Sequence, residues 1–391
     1  IDALGSDALL EWAHAPARLR PGPWRHLALG LAGAALIAGV AAFWIGLLPL
    51  TIVLLAELGI WRVVRKGVLV TVGELEHPGQ ALRLAQAALE RVEKEHFDTP
   101  RLRALEAGLG GGNPPPSARL RALLHRLDRL EWRENDMFSI PAAMLMWGTN
   151  WAYSIERGRL EHGPEIEGWI AAVGELEALL DLGRYTFERP DYCVPEILEE
   201  GAVLDVAAAA HPLLAECTPN DVSLSAEQPL IVVTGSNMSG KSTLLRTIGV
   251  NVVLAQMGAP VRARSMVLTP IGVGASIHTV DSLKDGASRF YAEIQAIKRA
   301  MDVAAGDRPA LLLFDELLHG TNSHDRRIGA EWIVRGFLKR GALGLVTTHD
   351  LALASIADEV GASARNTHFE FTLVDGKIRF DYTLHPGVVQ T

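Results

Sequence analysis

The sequence predicts an α/β chain in three parts: a hydrophobic helical hairpin over 1–66, an all-α region over 67–200 and a domain with a mostly parallel sheet over 201–391. Three observations predict it. Residues 27–56 carry no charge at all. Apolar side chains then recur at helical spacing through the middle of the chain. Beyond residue 229, three short runs of consecutive apolar residues each end in a polar cluster, the pattern of strands buried on both faces.

Composition bounds the function. Apolar residues make up 49% of the 391 and charged residues 21%, enough apolar side chain to bury a large core and to exclude general disorder. Acidic residues number 46 against 37 basic ones. That balance excludes a chain-wide cationic coat for nucleic acid and leaves only local basic patches. Cys193 and Cys217 are the two cysteines; they can make neither a disulfide framework nor a cysteine zinc site, and they suit a reducing compartment.

In the first part, Thr51 is nearly the only polar side chain between Leu27 and Ala56. One straight helix of that length would span ~45 Å against a hydrocarbon core of ~30 Å. A break near Gly46–Pro49 gives two short helices instead. Arg18, Arg20 and Arg25 precede the run and Arg62, Arg65 and Lys66 follow it. Basic residues on both flanks favour membrane contact through 27–56 with both ends cytoplasmic over the alternative, a buried helical hairpin in a soluble protein.

In the second part, Leu82, Leu84, Ala85, Ala88, Leu89 and Val92 give an apolar stripe, and residues 78–108 and 117–135 read as helices separated by the glycine- and proline-rich stretch 108–117. The second helix carries Arg119, Arg121, Arg126, Arg129 and Arg133. Such a stripe either touches phosphates or forms a solvated face. Residues 165–183 read as a further helix.

The third part carries the chemistry. Leu230–Val233 is followed by Gly235-Ser236-Asn237-Met238-Ser239-Gly240-Lys241-Ser242 and then by a helical pattern. Strand, glycine loop and helix in that order are the context a phosphate-binding loop needs. Gly235 and Gly240 let main-chain N–H groups wrap a triphosphate, and the helix N-terminus adds its positive end. Lys241 supplies a charge to the β- and γ-phosphates, and Ser242 offers its hydroxyl to Mg2+. Ala310–Phe314 is a second buried run ending in Asp315-Glu316. Asp315 at a strand tip suits Mg2+, and Glu316 suits the base that activates water. Leu343–Thr348 delivers His349 to the same end of the sheet, where it can sense the γ-phosphate.

These motifs, read together, resemble the MutS family. Its phosphate loop is similar to Gly235–Thr243, above all in the pair Asn237-Met238. Ser288-Arg289-Phe290-Tyr291-Ala292-Glu293 resembles its Ser-x-Phe-x-x-Glu segment, Asp315-Glu316 with Gly320-Thr321-Asn322-Ser323 its acidic element, Thr348-His349-Asp350 its switch-histidine loop, and Asn366-Thr367-His368 its Asn-x-His strand. Pro219-Asn220-Asp221 resembles the segment leading into the ATPase. The likeness is tight over 200–391 and looser over 70–200.

The resemblance implies a P-loop, ABC-type ATPase domain behind a helical lever. It implies ATP and Mg2+ as ligands, a homodimer paired head to tail through the ATPase domains, and DNA as a partner. It implies catalytic roles for Glu316, His349 and Ser288, with Ser288 reaching the γ-phosphate held by the opposite subunit. ATP would contact 235–243 and Asn220; Ser242 and Asp315 would hold the metal.

Departures from the family narrow the expectation. The only Phe-x-Glu is Phe314-Asp315-Glu316, so a mismatch-reading wedge is not expected. Cys217 and Thr218 stand where many relatives carry an aromatic residue, so adenine stacking must come from elsewhere. The hydrophobic hairpin resembles small bacterial relatives with membrane helices. A membrane-tethered ATPase acting on a protein or membrane partner is therefore the alternative to a DNA machine. An ordinary ABC transporter subunit is disfavoured, because Lys284-Asp285-Gly286-Ala287-Ser288 replaces the Leu-Ser-Gly-Gly-Gln signature.

Overall fold

The computed structural model describes residues 6–20, 22–73, 76–109, 112–277, 289–318, 321–374 and 377–388. The chain divides into two compact units, residues 1–180 and 181–391.

The first unit is helical: α1 (Ser6–His14), α2 (Trp24–Ile45), α3 (Leu48–Gly73), α4 (Glu76–Val92), α5 (Pro100–Gly108), α6 (Pro116–Glu131), α7 (Ser139–Met144) and α8 (Trp147–Glu188), whose last turns enter the second unit. The hydrophobic hairpin is α2 and α3. Gly46 makes the break at φ +83°, a backbone setting that favours glycine. The outer face of the hairpin is bare: Ile37, Phe43, Trp44 and Leu48 are 70%, 89%, 75% and 72% exposed. Its inner face is small, with Ala28, Ala35 and Ala38 buried. At the base, Leu19, Val64, Val68 and Ala152 form a cluster joined by Trp24, Ile60 and Tyr153.

A larger core holds the remaining helices. Leu9, Trp12, Leu82, Leu89, Leu120, Leu123, Ile155, Ile166 and Trp169 meet there. Arg159 is fully buried. Its guanidinium donates to the carbonyls of Trp12 (3.0 Å), Ala15 (2.5 Å) and Pro16 (3.1 Å) and to both carboxylate oxygens of Glu156 at 2.9 Å. A positive group at the C-terminal end of α1 satisfies carbonyls that the helix leaves unpaired.

Two expectations for this region change. The helix expected over 78–108 is two helices: α4 ends at Val92, and after a stretch outside helix Pro100 starts α5 behind an extended Thr99. The helix expected over 165–183 is part of the 42-residue α8, which runs through Pro164.

The second unit contains β1 (Glu196–Ile197), β2 (Leu204–Ala209), β3 (Asn220–Leu224), β4 (Leu230–Thr234), α9 (Lys241–Gln256), β5 (Ser265–Leu268), β6 (Gly272–Ser276), α10 (Arg289–Val303), β7 (Ala310–Asp315), α11 (Ser323–Leu338), β8 (Leu343–Thr348), α12 (Leu351–Val360), β9 (Ala364–Val374) and β10 (Lys377–Pro386). One sheet has the order β1-β5-β2-β3 and the other β10-β9-β4-β8-β7-β6. In the second sheet β4 pairs in parallel with β8 and β9, and β7 with β8 and β6; only β10 is antiparallel.

Alternation divides this sheet's side chains between two cores. Ile231, Val233, Leu311, Leu313 and Leu345 pack on Leu244, Ile248 and Val252 of α9. Leu230, Val232, Leu312, Phe314 and Val346 face α10, α11 and α12 through Ile297, Phe337 and Ile356. A period of two on strands buried on both sides explains why the sequence shows continuous apolar runs. Parallel pairing brings the C-terminal ends of β4, β7 and β8 together. Ligands of open α/β sheets collect at such an end.

Candidate functional site

The loop from β4 to α9 is set by its backbone. Gly235 and Gly240 have φ of +151° and +104°, and Met238 has φ +68°. A Cβ on Gly235 would lie 2.8 Å from Ser239 Oγ and 3.2 Å from the Phe369 carbonyl, so only glycine fits. Lys241 opens α9 and is 5% exposed. Its ammonium donates to the carbonyls of Gly235 (2.8 Å) and Ser236 (2.9 Å). Burial pushes the Lys241 ammonium below its ordinary range, and the Glu316 and Asp315 carboxylates offset this in part.

The acidic turn closes the other side. Thr347 of β8 donates its hydroxyl to Asp315 Oδ1 at 2.5 Å, and its carbonyl and hydroxyl receive the Glu316 N–H at 3.1 and 3.2 Å. Glu293 of α10, itself buried, accepts the Leu318 N–H at 2.5 Å. Glu316 and Leu318 both adopt positive φ, +52° and +57°. Non-glycine residues hold such a setting only where their surroundings impose it. The result is that Glu316 Oε1 stands 3.8 Å from Lys241 Nζ and 3.2 Å from His349 Nδ1.

A cavity of about 1410 Å³ opens over this cluster, lined by Asn237, Met238, Ser239, Gly240, Lys241, Ser242, Thr243, Asn220, Asp315 and Glu316. Gly235 and Ser236 lie behind the lining as acceptors for Lys241, and His349 meets the site through Glu316. Ser288 lies outside the described residues.

The residues fit a nucleotide and a divalent ion. Ser239 Oγ is buried without a partner, as a loop prepared for phosphate oxygens requires. Ser242 and Asp315 face the same cavity. Among the described residues no group of three or more His, Cys, Asp or Glu side chains could cage a metal. Mg2+ carried on phosphates needs only one or two protein ligands.

Other residues that shape this cavity escape a linear reading. Arg262 donates to the carbonyls of His211 (2.8 Å), Leu214 and Ala215 (3.2 Å), tying down the 211–217 loop that forms one wall. Tyr382 lines the cavity near Gly240, where an added Cβ would meet the Tyr382 Cδ1 at 3.2 Å. Tyr382 sits at φ +56° in an irregularity of the β9–β10 pairing.

Asn220 holds that irregularity. Its amide donates to the carbonyls of Tyr382 (3.0 Å) and Thr218 (3.2 Å) and accepts from the Leu384 N–H at 2.6 Å. The side chain is engaged on both ends, and it lines the cavity beside the strand that carries Tyr382. Of these residues Glu293 and Asn220 fall inside motifs, the 288–293 segment and Pro219-Asn220-Asp221, whereas Arg262 and Tyr382 do not.

The arginine stripe of α6 has internal partners. Arg119 pairs with Glu165 at 2.9 Å, Arg121 with Glu90 at 2.6 Å, Arg126 donates to the Ser154 carbonyl at 3.0 Å, and Arg129 lies 5.3 Å over the Trp151 ring. Lys94, Gln86 and Arg121 together hold the Glu90 carboxyl down at about 2. The stripe therefore pins α6 to its neighbours and does not form a continuous groove of uncommitted cations.

Fold and site together define an α/β domain with a glycine-loop cavity at the C-terminal edge of its parallel strands. Residues 231–391 match the family MutS domain V. A DNA mismatch repair protein MutS of Natronomonas pharaonis is 32% identical over 231 residues, 58% of this chain and 26% of the relative. One of Geobacillus sp. is 30% identical over 233 residues, 57% and 26% respectively, and one of Aquifex pyrophilus 31% identical over 222 residues, 55% and 25%. The chain thus spans about a quarter of the length of the curated relatives it matches. Over its C-terminal half, the chain is similar to the MutS family.

Proposed function

We propose that this chain is a MutS-like ATPase in which ATP binding and hydrolysis drive closure of a dimer on DNA. The observation that carries the reading is the convergence of Lys241, Asp315 and Glu316 on one cavity at the C-terminal edge of a parallel sheet. The loop N–H groups, Lys241 and the α9 N-terminus bind the phosphates. Ser242 and Asp315 hold Mg2+, which neutralises charge on the phosphate oxygens. Glu316 takes the proton from the attacking water, and His349, hydrogen-bonded to it, fixes its orientation. Tyr382 offers a ring for the base in place of the aromatic residue missing at 217–218. Ser288 completes the partner subunit's site across a head-to-tail homodimer. The test is Mg2+-dependent ATP turnover by the purified chain with and without duplex DNA at low salt. DNA binding is expected to weaken steeply as salt rises.

A second reading is favoured by two observations: the α6 arginines have partners within the helical unit, and α2 exposes an apolar face long enough to cross a bilayer. It is a membrane-tethered ATPase with a cytoplasmic ATPase domain that acts on a protein or membrane partner. The proposed parts are 1–66 as membrane hairpin, 67–200 as lever and 201–391 as ATPase domain. Turnover stimulated by anionic vesicles and indifferent to DNA favours this reading over the first.

A further inference from the structure

Between α6 and α8 the chain carries a short apolar spur. Trp132 is 59% exposed, Met137 92% and Ile140 72%. The spur is held in place from behind. Trp132 stacks on Trp147 at 6.4 Å with the rings 5° from parallel, and Phe138 meets Trp147 edge-on at 5.0 Å. The Trp147 indole N–H donates to the Arg129 carbonyl at 2.7 Å. Met137 N–H is taken by Asn135, and Ser139 caps back onto the Asp136 carbonyl. Large side chains fixed outward in water gain nothing from exposure, whereas a fixed apolar surface loses little entropy on meeting a partner.

The surroundings say what the partner is. α7, at the end of the spur, packs against α2 of the hydrophobic hairpin. A few residues on, Tyr153 of α8 donates to the Arg20 carbonyl at 3.4 Å and joins Trp24 at the hairpin's base. That base is aromatic and basic: Trp24 and Arg25 start α2, and on α3 the Arg65 guanidinium lies 5.8 Å over Trp61, next to Arg62 and Lys66. Of the acids near the spur, Asp128 is paired with Arg83 at 2.7 Å and Glu131 stands 3.8 Å from the same guanidinium. Glu134 and Asp136 are in the spur itself, beside Arg133. Tryptophan and arginine gathered at the base of a hairpin whose residues 27–56 carry no charge are the signature of a membrane–water interface.

We propose that residues 132–140 are a second membrane-contacting element, an interfacial foot. It sets Trp132, Met137 and Ile140 into the headgroup and upper acyl region of an anionic bilayer beside the hairpin's base. The inference rests on the membrane reading of residues 27–56. With the foot engaged, the α6–α8 end of the helical unit is held to the lipid surface at a second point, so the unit cannot swivel freely about the hairpin.

The test uses the full chain reconstituted in phosphatidylethanolamine–phosphatidylglycerol vesicles. Cys193→Ser/Cys217→Ser is the background, with one environment-sensitive fluorophore at Met137→Cys, Ile37→Cys or Leu180→Cys. The expected result is a blue shift at 137 with quenching strongest by shallow doxyl lipids, quenching of 37 by deep doxyl lipids, and an aqueous probe at 180. Ile140→Asp beside the probe at 137 should return that probe to an aqueous spectrum while quenching at 37 is unchanged. A quenched probe at 37 beside an aqueous probe at 137 overturns the foot and leaves the hairpin reading standing. Aqueous probes at both positions remove the hairpin reading and the foot with it. A probe at 137 that shifts with protein concentration but ignores doxyl lipids puts a protein on the patch and overturns the proposal.

Discussion

The Lys241 ammonium and the Glu316 carboxylate lie 3.8 Å apart in the lining of the cavity at the end of β4 and β7. Neither is held by the other alone. Lys241 is taken up by its own loop carbonyls, and Glu316 is fixed by Thr347 through its main chain. Each can therefore turn to phosphate or water without collapse of its surroundings.

Lys241→Ala should remove the charge that meets the phosphates. Truncating one member of a buried charge pair typically costs ~2–5 kcal/mol, or about 30-fold to several thousandfold in affinity. Isothermal titration with ATP and Mg2+ checks it; unchanged affinity would detach Lys241 from nucleotide binding.

Glu293→Ala should free the Leu318 N–H and let the strained 316–318 turn relax. Turnover is expected to fall by about tenfold or more while KM for ATP holds, since the loss is one of geometry at the base. Glu293→Gln keeps an acceptor oxygen and should recover much of the rate. An effect on thermal stability alone, with kcat intact, would leave Glu293 a structural residue.

Asn220→Ala should release Tyr382 from the β9–β10 irregularity. The expected signature is a raised KM for ATP, with triphosphate lacking a base bound as before. Fluorescent-nucleotide competition distinguishes the two, and an equal loss for both ligands would contradict a role on the base side.

Arg159→Met should destabilise the helical unit by ~3–5 kcal/mol, because it leaves a buried carboxylate and the α1 carbonyls without a donor. The same pair sets a pH dependence. Burial pushes the Glu156 carboxyl up, but the Arg159 hydrogen bonds, the Arg18 N–H and both guanidinium charges outweigh it and hold it below the ordinary carboxylate range. A carboxyl lowered on folding stabilises fully above its unfolded pKa and loses that contribution as pH falls through the folded one. Denaturant unfolding of the wild type should therefore weaken from about pH 4.3 downward. In Arg159→Met the slope in that range should flatten or reverse.

The local chemistry was legible in the sequence because it is contiguous. A buried strand, a glycine loop and Lys241 follow one another, and Asp315-Glu316 ends a run of five apolar residues. What the sequence hides is supplied from a distance. Arg119 and Arg121 look like a phosphate-binding stripe until Glu165 and Glu90 are seen beside them. Tyr382 reaches the cavity only because Asn220, on another strand, pins an irregular pairing. The break between α4 and α5 is written in the polar run Glu93–His96 and in Pro100, which starts α5, and reading one helix over 78–108 passes over both.

Glu316→Gln tests the central claim most directly, by measuring ATP binding and single-turnover cleavage in one preparation. The account predicts that ATP with Mg2+ binds as tightly as in the wild type, that cleavage slows by ~10²–10⁴, and that the uncleaved complex accumulates as a dimer. Wild-type cleavage by the variant, or failure of the unmutated chain to bind ATP, would contradict it.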